Sequence, residues 1–199
     1  MFAMSVFYQS RKAYSLLQKI FFLPSPRTLQ RSLQNCSTGP GFNAHIFQAL
    51  QRKVQHMRDF DKDCLLMFDE MSLKKRFVYN RERDCVDGFE DYGFIGTTQY
   101  QADHVLVFVV RGISCKWKQP LGYFFVCGSA KPVILNRLVN TCLSKLENIG
   151  LQPIAPVCDQ GSTNRCFLET LCHVSIEQPF MLHNGRKIYV IYDPPPHIC

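Results

Sequence analysis

Cys64-Leu65-Leu66-Met67-Phe68-Asp69-Glu70 is the stretch on which the fold turns. Five consecutive apolar residues are too short for a membrane span and fit a central strand buried on both faces. The two acids that follow put charge at the strand's tip. Downstream, Phe77-Val78-Tyr79, the segment around Phe89–Ile95 after an Asp87-Gly88 turn, His104–Val110 (HVLVFVV) and Leu121–Val126 all have strand character. Pro132 opens a helix with Val133, Ile134, Leu135, Leu138, Val139, Leu143 and Leu146 on its apolar side, and Gly150 closes it. Gln152–Val157 is a short buried strand running into Cys158-Asp159-Gln160-Gly161, and Asn164–His173 is a second helix. His183-Asn184-Gly185-Arg186 carries the Asn-Gly signature of a tight hairpin, and Lys187–Tyr192 is the last strand. Strands, helix, strand, helix, strand predicts an α/β fold: a mixed sheet with flanking helices.

Upstream of Cys64 the period is helical. A helix is expected over 9–22, with Ala13, Leu16, Leu17 and Ile20 as its apolar face, broken at Leu23-Pro24-Ser25-Pro26. Ser25 suits an N-cap and Pro26 the first helical position, with Thr28, Leu29 and Leu33 following. Beyond Gly39-Pro40-Gly41, a third helix is expected over Asn43 to Arg58, with Ile46, Phe47, Leu50 and Val54 on one face. The chain therefore divides into a small all-helical segment, 1–60, and a sheet domain, 61–199.

Charge separates the same two regions. Arg11, Lys12, Lys19, Arg27, Arg31, Arg52, Lys53 and Arg58 precede the first acid, Asp59; from Asp59 onward the balance is 15 basic to 16 acidic residues. A cationic segment without acids suits a polyanion, because each Lys or Arg at a phosphate releases condensed counterions. These eight residues are the candidate DNA contacts, and three short basic helices suit a helix-turn-helix-like unit that docks in the major groove. A basic face that merely aids solubility has the same composition. No signal peptide and no membrane partner are expected. The ten cysteines include no C-x-x-C pair, which disfavours zinc; most are expected to be reduced, buried small hydrophobes. No phosphate-binding glycine loop or serine-hydrolase elbow is present.

Asp69 and Asp159 each directly follow a short apolar strand. If those strands are neighbours, the two carboxylates converge, and converging oxygens at a strand edge make a Mg²⁺ or Mn²⁺ site with positions left for phosphate and water. An Asp in such a place also serves simply as a turn former or helix N-cap. Glu70 is expected to pair with the Lys74-Lys75-Arg76 cluster. That cluster suits a solvated hairpin and a DNA-backbone contact equally. Trp117 between two lysines is expected to pack, and His104 to be structural.

Five segments in order resemble the P-element-like, THAP-family DNA transposases. They are Tyr14…Leu23-Pro24-Ser25-Pro26-Arg27-Thr28-Leu29 with Gly39-Pro40-Gly41-Phe42; Leu66-Met67-Phe68-Asp69-Glu70-Met71; Gly88-Phe89 with Tyr92-Gly93; Val157-Cys158-Asp159-Gln160-Gly161-Ser162-Thr163-Asn164; and Tyr192-Asp193-Pro194-Pro195-Pro196-His197. The resemblance implies an RNase H-like fold, nuclear localisation, DNA as partner, a transposase-like homo-oligomer, and Asp69 and Asp159 as catalytic Mg²⁺ ligands. It also implies GTP in the family, bound by an insertion that would follow His197, and a third acid beyond it. Neither Glu169 nor Glu177 stands where that acid belongs. As read to Cys199, the chain is thus expected to be transposase-derived and catalytically incomplete; the alternative is a non-enzymatic DNA-binding or interaction protein domesticated from a transposon.

Overall fold

The computed structural model describes residues 2–34, 39–81 and 84–193, and within it the chain forms two compact units that divide at Gly39/Pro40. Cys36, Cys199 and the 194–197 part of the Asp-Pro-Pro segment lie outside the described residues.

The first unit is three helices: α1 (Phe2–Gln9), α2 (Arg11–Ile20) and α3 (Pro26–Gln34). Ser10 separates the first two, its hydroxyl accepting from the Ala13 N–H at 3.2 Å as the N-cap of α2. Ser25 does the same for Thr28 at 3.1 Å ahead of Pro26, as its position predicts. The buried side of α2 differs from the expected one. Tyr14 is fully buried with Phe7 and Leu29, whereas Leu16 and Ile20 are exposed. The reason is α1, an element the sequence reading did not foresee. Its Phe7 meets the Tyr14 ring edge-on at 5.4 Å, so α2 turns Tyr14 inward, and the Tyr14 hydroxyl donates to the Pro24 carbonyl.

The second unit opens with β1 (Gly41–Phe42) and α4 (Ala44–Val54). Asn43 caps α4 by accepting from the His45 and Ile46 N–H groups at 2.9 and 3.3 Å. The expected third helix is therefore real but ends at Val54, and a 3₁₀ turn, Asp59–Lys62, follows. Phe47, Leu50 and Val54 of α4 are buried in the core of the sheet unit. That packing moves the unit boundary from the expected 60/61 back to 39/40.

Next come β2 (Asp63–Ser72), β3 (Val78–Asn80), β4 (Cys85–Asp87), β5 (Phe89–Asp91), β6 (Thr97–Gln101), β7 (His104–Gly112) and β8 (Lys118–Val126). The helix α5 (Pro132–Asn148) leads to β9 (Gln152–Cys158), and α6 (Ser162–Cys166) continues as a π-helical turn, Phe167–Leu171. β10 (Phe180–His183), β11 (Arg186–Tyr189) and β12 (Ile191–Tyr192) complete the described chain. The main sheet runs β12-β9-β2-β7-β8-β5-β6, with β1 on β8. β2, β7 and β8 pair antiparallel, while β9 lies parallel to β2 and β12 parallel to β9. Parallel neighbours need a crossover, and α5 supplies it.

One sheet face is sealed. Leu66, Phe68, Phe108 and Phe124 meet Leu138, Val139 and Leu143 of α5 and the α4 residues in one core. At Gly122 a side chain would strike the Gly41 carbonyl, so the missing Cβ is what lets β1 join the sheet there. The hairpin at Asn184-Gly185 forms as expected, both residues having positive φ (48° and 78°) between β10 and β11. The last strand expected over Lys187–Tyr192 is instead two, because β11 pairs with β10 and β12 with β9. The cysteines depart from expectation in part. Cys64, Cys142 and Cys158 are buried, but Cys166 is exposed and four others are half-buried; all eight described are free thiols.

Candidate active site

The acids converge because of strand register. β2 and β9 pair in parallel up to Met67 opposite Val157, and two residues farther on each chain come Asp69 and Asp159. Adjacent strands lie about 4.8 Å apart, so the two residues occupy neighbouring tips. Both line one cavity of about 250 Å³, with Glu70, Ser129, Thr163 and Asn164 among its other walls. Cys158 senses the same charge. Burial first, and then the negative charges of Asp159 and Asp69, push its thiol up to about 12.

Each carboxylate is oriented by one oxygen. Asp159 Oδ1 accepts from the Gly161 N–H at 3.0 Å and the Asn164 side-chain amide at 2.6 Å. Asp69 Oδ1 accepts from the Glu70 N–H at 2.8 Å. Asp159 thus does form the turn expected of an Asp in that place, yet Oδ2 of both residues has no hydrogen bond among the described residues. One free oxygen on each of two convergent carboxylates fits a hard divalent cation that keeps waters or phosphate oxygens in its remaining positions. Among the described residues no group of three His, Cys, Asp or Glu side chains is placed to hold a metal.

Glu70 is not the partner of the lysine cluster. Its Oε1 accepts from the Ala130 N–H at 2.8 Å and its Oε2 from the Ser129 hydroxyl at 2.9 Å, 60 and 59 residues away. It therefore anchors the turn that leads into α5. Lys75 pairs with Asp103 instead, at 3.1 Å. Trp117 packs against the core as expected, over Gly112 and beneath the Lys53 ammonium at 5.0 Å. Glu169 pairs with Arg165 and Glu177 with Ser175, and neither lines the cavity.

The eight candidate DNA contacts fall on both units. Arg11, Lys12 and Lys19 line one shallow surface of α2 with Ser15 and Leu16, and Arg27 and Arg31 belong to α3. Arg52, Lys53 and Arg58 belong to the sheet unit, and Arg58 is held at 2.9 Å by Asp61 and stacked on Phe60. What the sequence reading missed is the far end of the cavity. Ser72 and His104, the terminal cross-strand pair of β2 and β7, both line it. Asp103-His104 opposite Ser72 could have been found only by first pairing those strands.

Three antiparallel strands continued by two parallel ones, with acids at the tips of β2 and β9, define an RNase H-like fold. Residues 38–172 match the family described as "TNP-like, RNase H N-terminal domain", and the chain belongs to that family. It is 33% identical over 162 residues to "DNA transposase THAP9" of Homo sapiens, covering 79% of this chain and 18% of the relative. It is 31% identical over 188 residues to "Transposable element P transposase" of Drosophila melanogaster, covering 92% of this chain and 22% of the relative. The structure described as "Drosophila P element transposase strand transfer complex" matches with a TM-score of 0.76 and 28% identity, over 96% of this chain and 40% of that one. The chain is of transposase ancestry and spans about a fifth of the length of these curated relatives. RNase H-like transposases as a class use divalent metal ions.

Proposed function

We propose that this chain is part of a nuclear DNA transposase machinery: it binds DNA, and Asp69 and Asp159 hold Mg²⁺ or Mn²⁺ for phosphodiester cleavage and strand transfer. The supporting observation is the meeting of two half-committed carboxylates in one cavity at neighbouring strand tips. Asp69 and Asp159 would hold the ion, which would supply activation of a water or 3′-hydroxyl and charge stabilisation at the leaving oxygen. The chain's own part is orientation. Asn164 and the Gly161 N–H fix Asp159, the Glu70 N–H fixes Asp69, and Glu70 ties the α5 entry to the same tip.

Among the described residues no third acid joins the pair, so cleavage by this chain alone is expected to be incomplete and the test is metal binding. Mn²⁺ affinity of the full chain, measured by calorimetry, is expected to fall in Asp69→Ala and in Asp159→Ala, both melting like the parent. Affinity that survives both substitutions refutes the assignment.

A second reading is a DNA-binding protein without chemistry, assembled as a homo-oligomer. The three cations on one surface of α2, in a unit with no acid, favour it. It predicts salt-dependent duplex binding that is unchanged by Asp69→Ala together with Asp159→Ala and is lost when Arg11, Lys12 and Lys19 become Gln. Binding that ignores those three cations rules it out.

A further inference from the structure

The cavity has a second built end. His104 Nδ1 donates to Asp103 Oδ1 at 2.8 Å, and its Nε2 lies 3.1 Å from the Ser72 hydroxyl. Asp103 is itself fixed, by the Gly128 N–H on Oδ1 and by Lys75 on Oδ2 at 3.1 Å. Those partners, the His104 bond first, hold its carboxyl well below the usual range. An anionic Asp on Nδ1 sets the ring's orientation and leaves Nε2 as the working nitrogen. A histidine that only buttressed a strand would not need a three-membered Ser72–His104–Asp103 chain ending in a solvent-accessible cavity.

Position then suggests the ligand. Ser72 lies three residues beyond Asp69 on β2, about 10 Å along an extended strand. Both points line the one cavity, as do the hydrogen-bonded hydroxyls of Ser129 and Thr163. One end has carboxylates that suit a metal-bridged phosphate. The other presents the Ser72 hydroxyl and the imidazole edge, which suit a bare one.

We propose that Ser72 and His104, held by Asp103, form a second phosphate position in this cavity, one that takes a DNA-backbone phosphate flanking the one reached by Asp69 and Asp159. This rests on the DNA-cleavage reading above and adds the path of the strand: it runs along the tip of β2 toward β7. With Nδ1 committed to Asp103, the Ser72 hydroxyl and Nε2 are the groups this end turns to the cavity.

The experiment is a scan of a single-stranded oligonucleotide in which each phosphate in turn is replaced by an uncharged methylphosphonate. Affinity for the full chain is measured by fluorescence anisotropy in Mn²⁺. Two sensitive positions are expected, each costing about tenfold, the size of one charge-assisted hydrogen bond. His104→Ala and Ser72→Ala should each remove one sensitive position and leave the other, which Asp159→Asn removes. An unaltered pattern in both His104→Ala and Ser72→Ala, or a uniform loss at every phosphate, overturns the second position while leaving the acid-pair assignment standing. A parent chain with no affinity for DNA overturns both.

Discussion

The two units solve opposite problems with the same alphabet. The first closes three helices over a core of Phe7, Tyr14 and Leu29, carries no Asp, Glu or His, and displays its cations on the outside of α2 and α3. The second buries β2, β7, β8, α4 and α5 in one large core, is close to neutral, and gathers its polar side chains at strand tips. In the first, the proposed DNA binding is diffuse, because cations spread over helix surfaces would contribute to it roughly independently. In the second it is local. Asp69, Asp159 and Ser72 owe their places to register, so losing one is not made good by its neighbours.

Stability should show the widest gap. Leu138 is fully buried between α5 and the sheet, and Leu138→Ala should cost about 4 kcal/mol, whereas Leu29→Ala in the small helical core should cost about 2 kcal/mol. Denaturant unfolding followed separately in the two units checks this; equal losses would mean that the helical core is no weaker than the sheet core. Next in size is the acid pair. Asp159→Asn keeps the size of the side chain that meets Gly161 and Asn164 but removes the charge, so Mn²⁺ affinity measured by calorimetry should fall at least about tenfold with the melting temperature unchanged. Smaller single effects are expected from the cations. Changing Arg11, Lys12 or Lys19 to Gln should each reduce the slope of log K against log salt by about 0.9 on duplex DNA. Arg58→Gln should leave that slope alone and lower the melting temperature, because Arg58 already serves Asp61. A salt slope that moves with Arg58 would put the DNA footprint on both units.

The sheet unit was legible where apolar residues are dense, although β2 proves fully buried on one face and half-buried on the other. Cys64–Phe68, His104–Val110 and the apolar side of Pro132–Asn148 announce their elements because no other arrangement hides that much apolar surface. Even the meeting of Asp69 and Asp159 followed from the two runs that precede them. What was hidden depends on contacts far apart in sequence. Thr97–Gln101 is a polar edge strand with no apolar alternation to mark it. Glu70 finds its partners at Ser129 and Ala130, not at the nearby lysines. The inward turn of Tyr14 depends on α1, whose aromatics show no helical stripe strong enough to be read alone. His104 looks like the first residue of a buried strand until β7 is laid against β2 and Ser72 comes opposite it.

Acid gives the gentlest comparison of the two units. In the sheet unit, hydrogen bonds from Cys115 and Arg58 lower the Asp61 pKa, and those from His104, the Gly128 N–H and Lys75 lower that of Asp103. A carboxyl whose folded pKa is depressed contributes stability that is fully present above its unfolded value, about 3.9, and lost as the pH falls through the folded one. The first unit has no side chain that changes charge in that window. Its amide NMR signals should therefore hold their positions as the pH drops below about 4, while the melting of the sheet unit moves to lower temperature. Asp103→Asn should remove part of that sensitivity and leave the helical signals untouched. If instead α1–α3 lose their signals first on acidification, the two units share stability, and a helical core as small as Phe7, Tyr14 and Leu29 is being held by something outside itself.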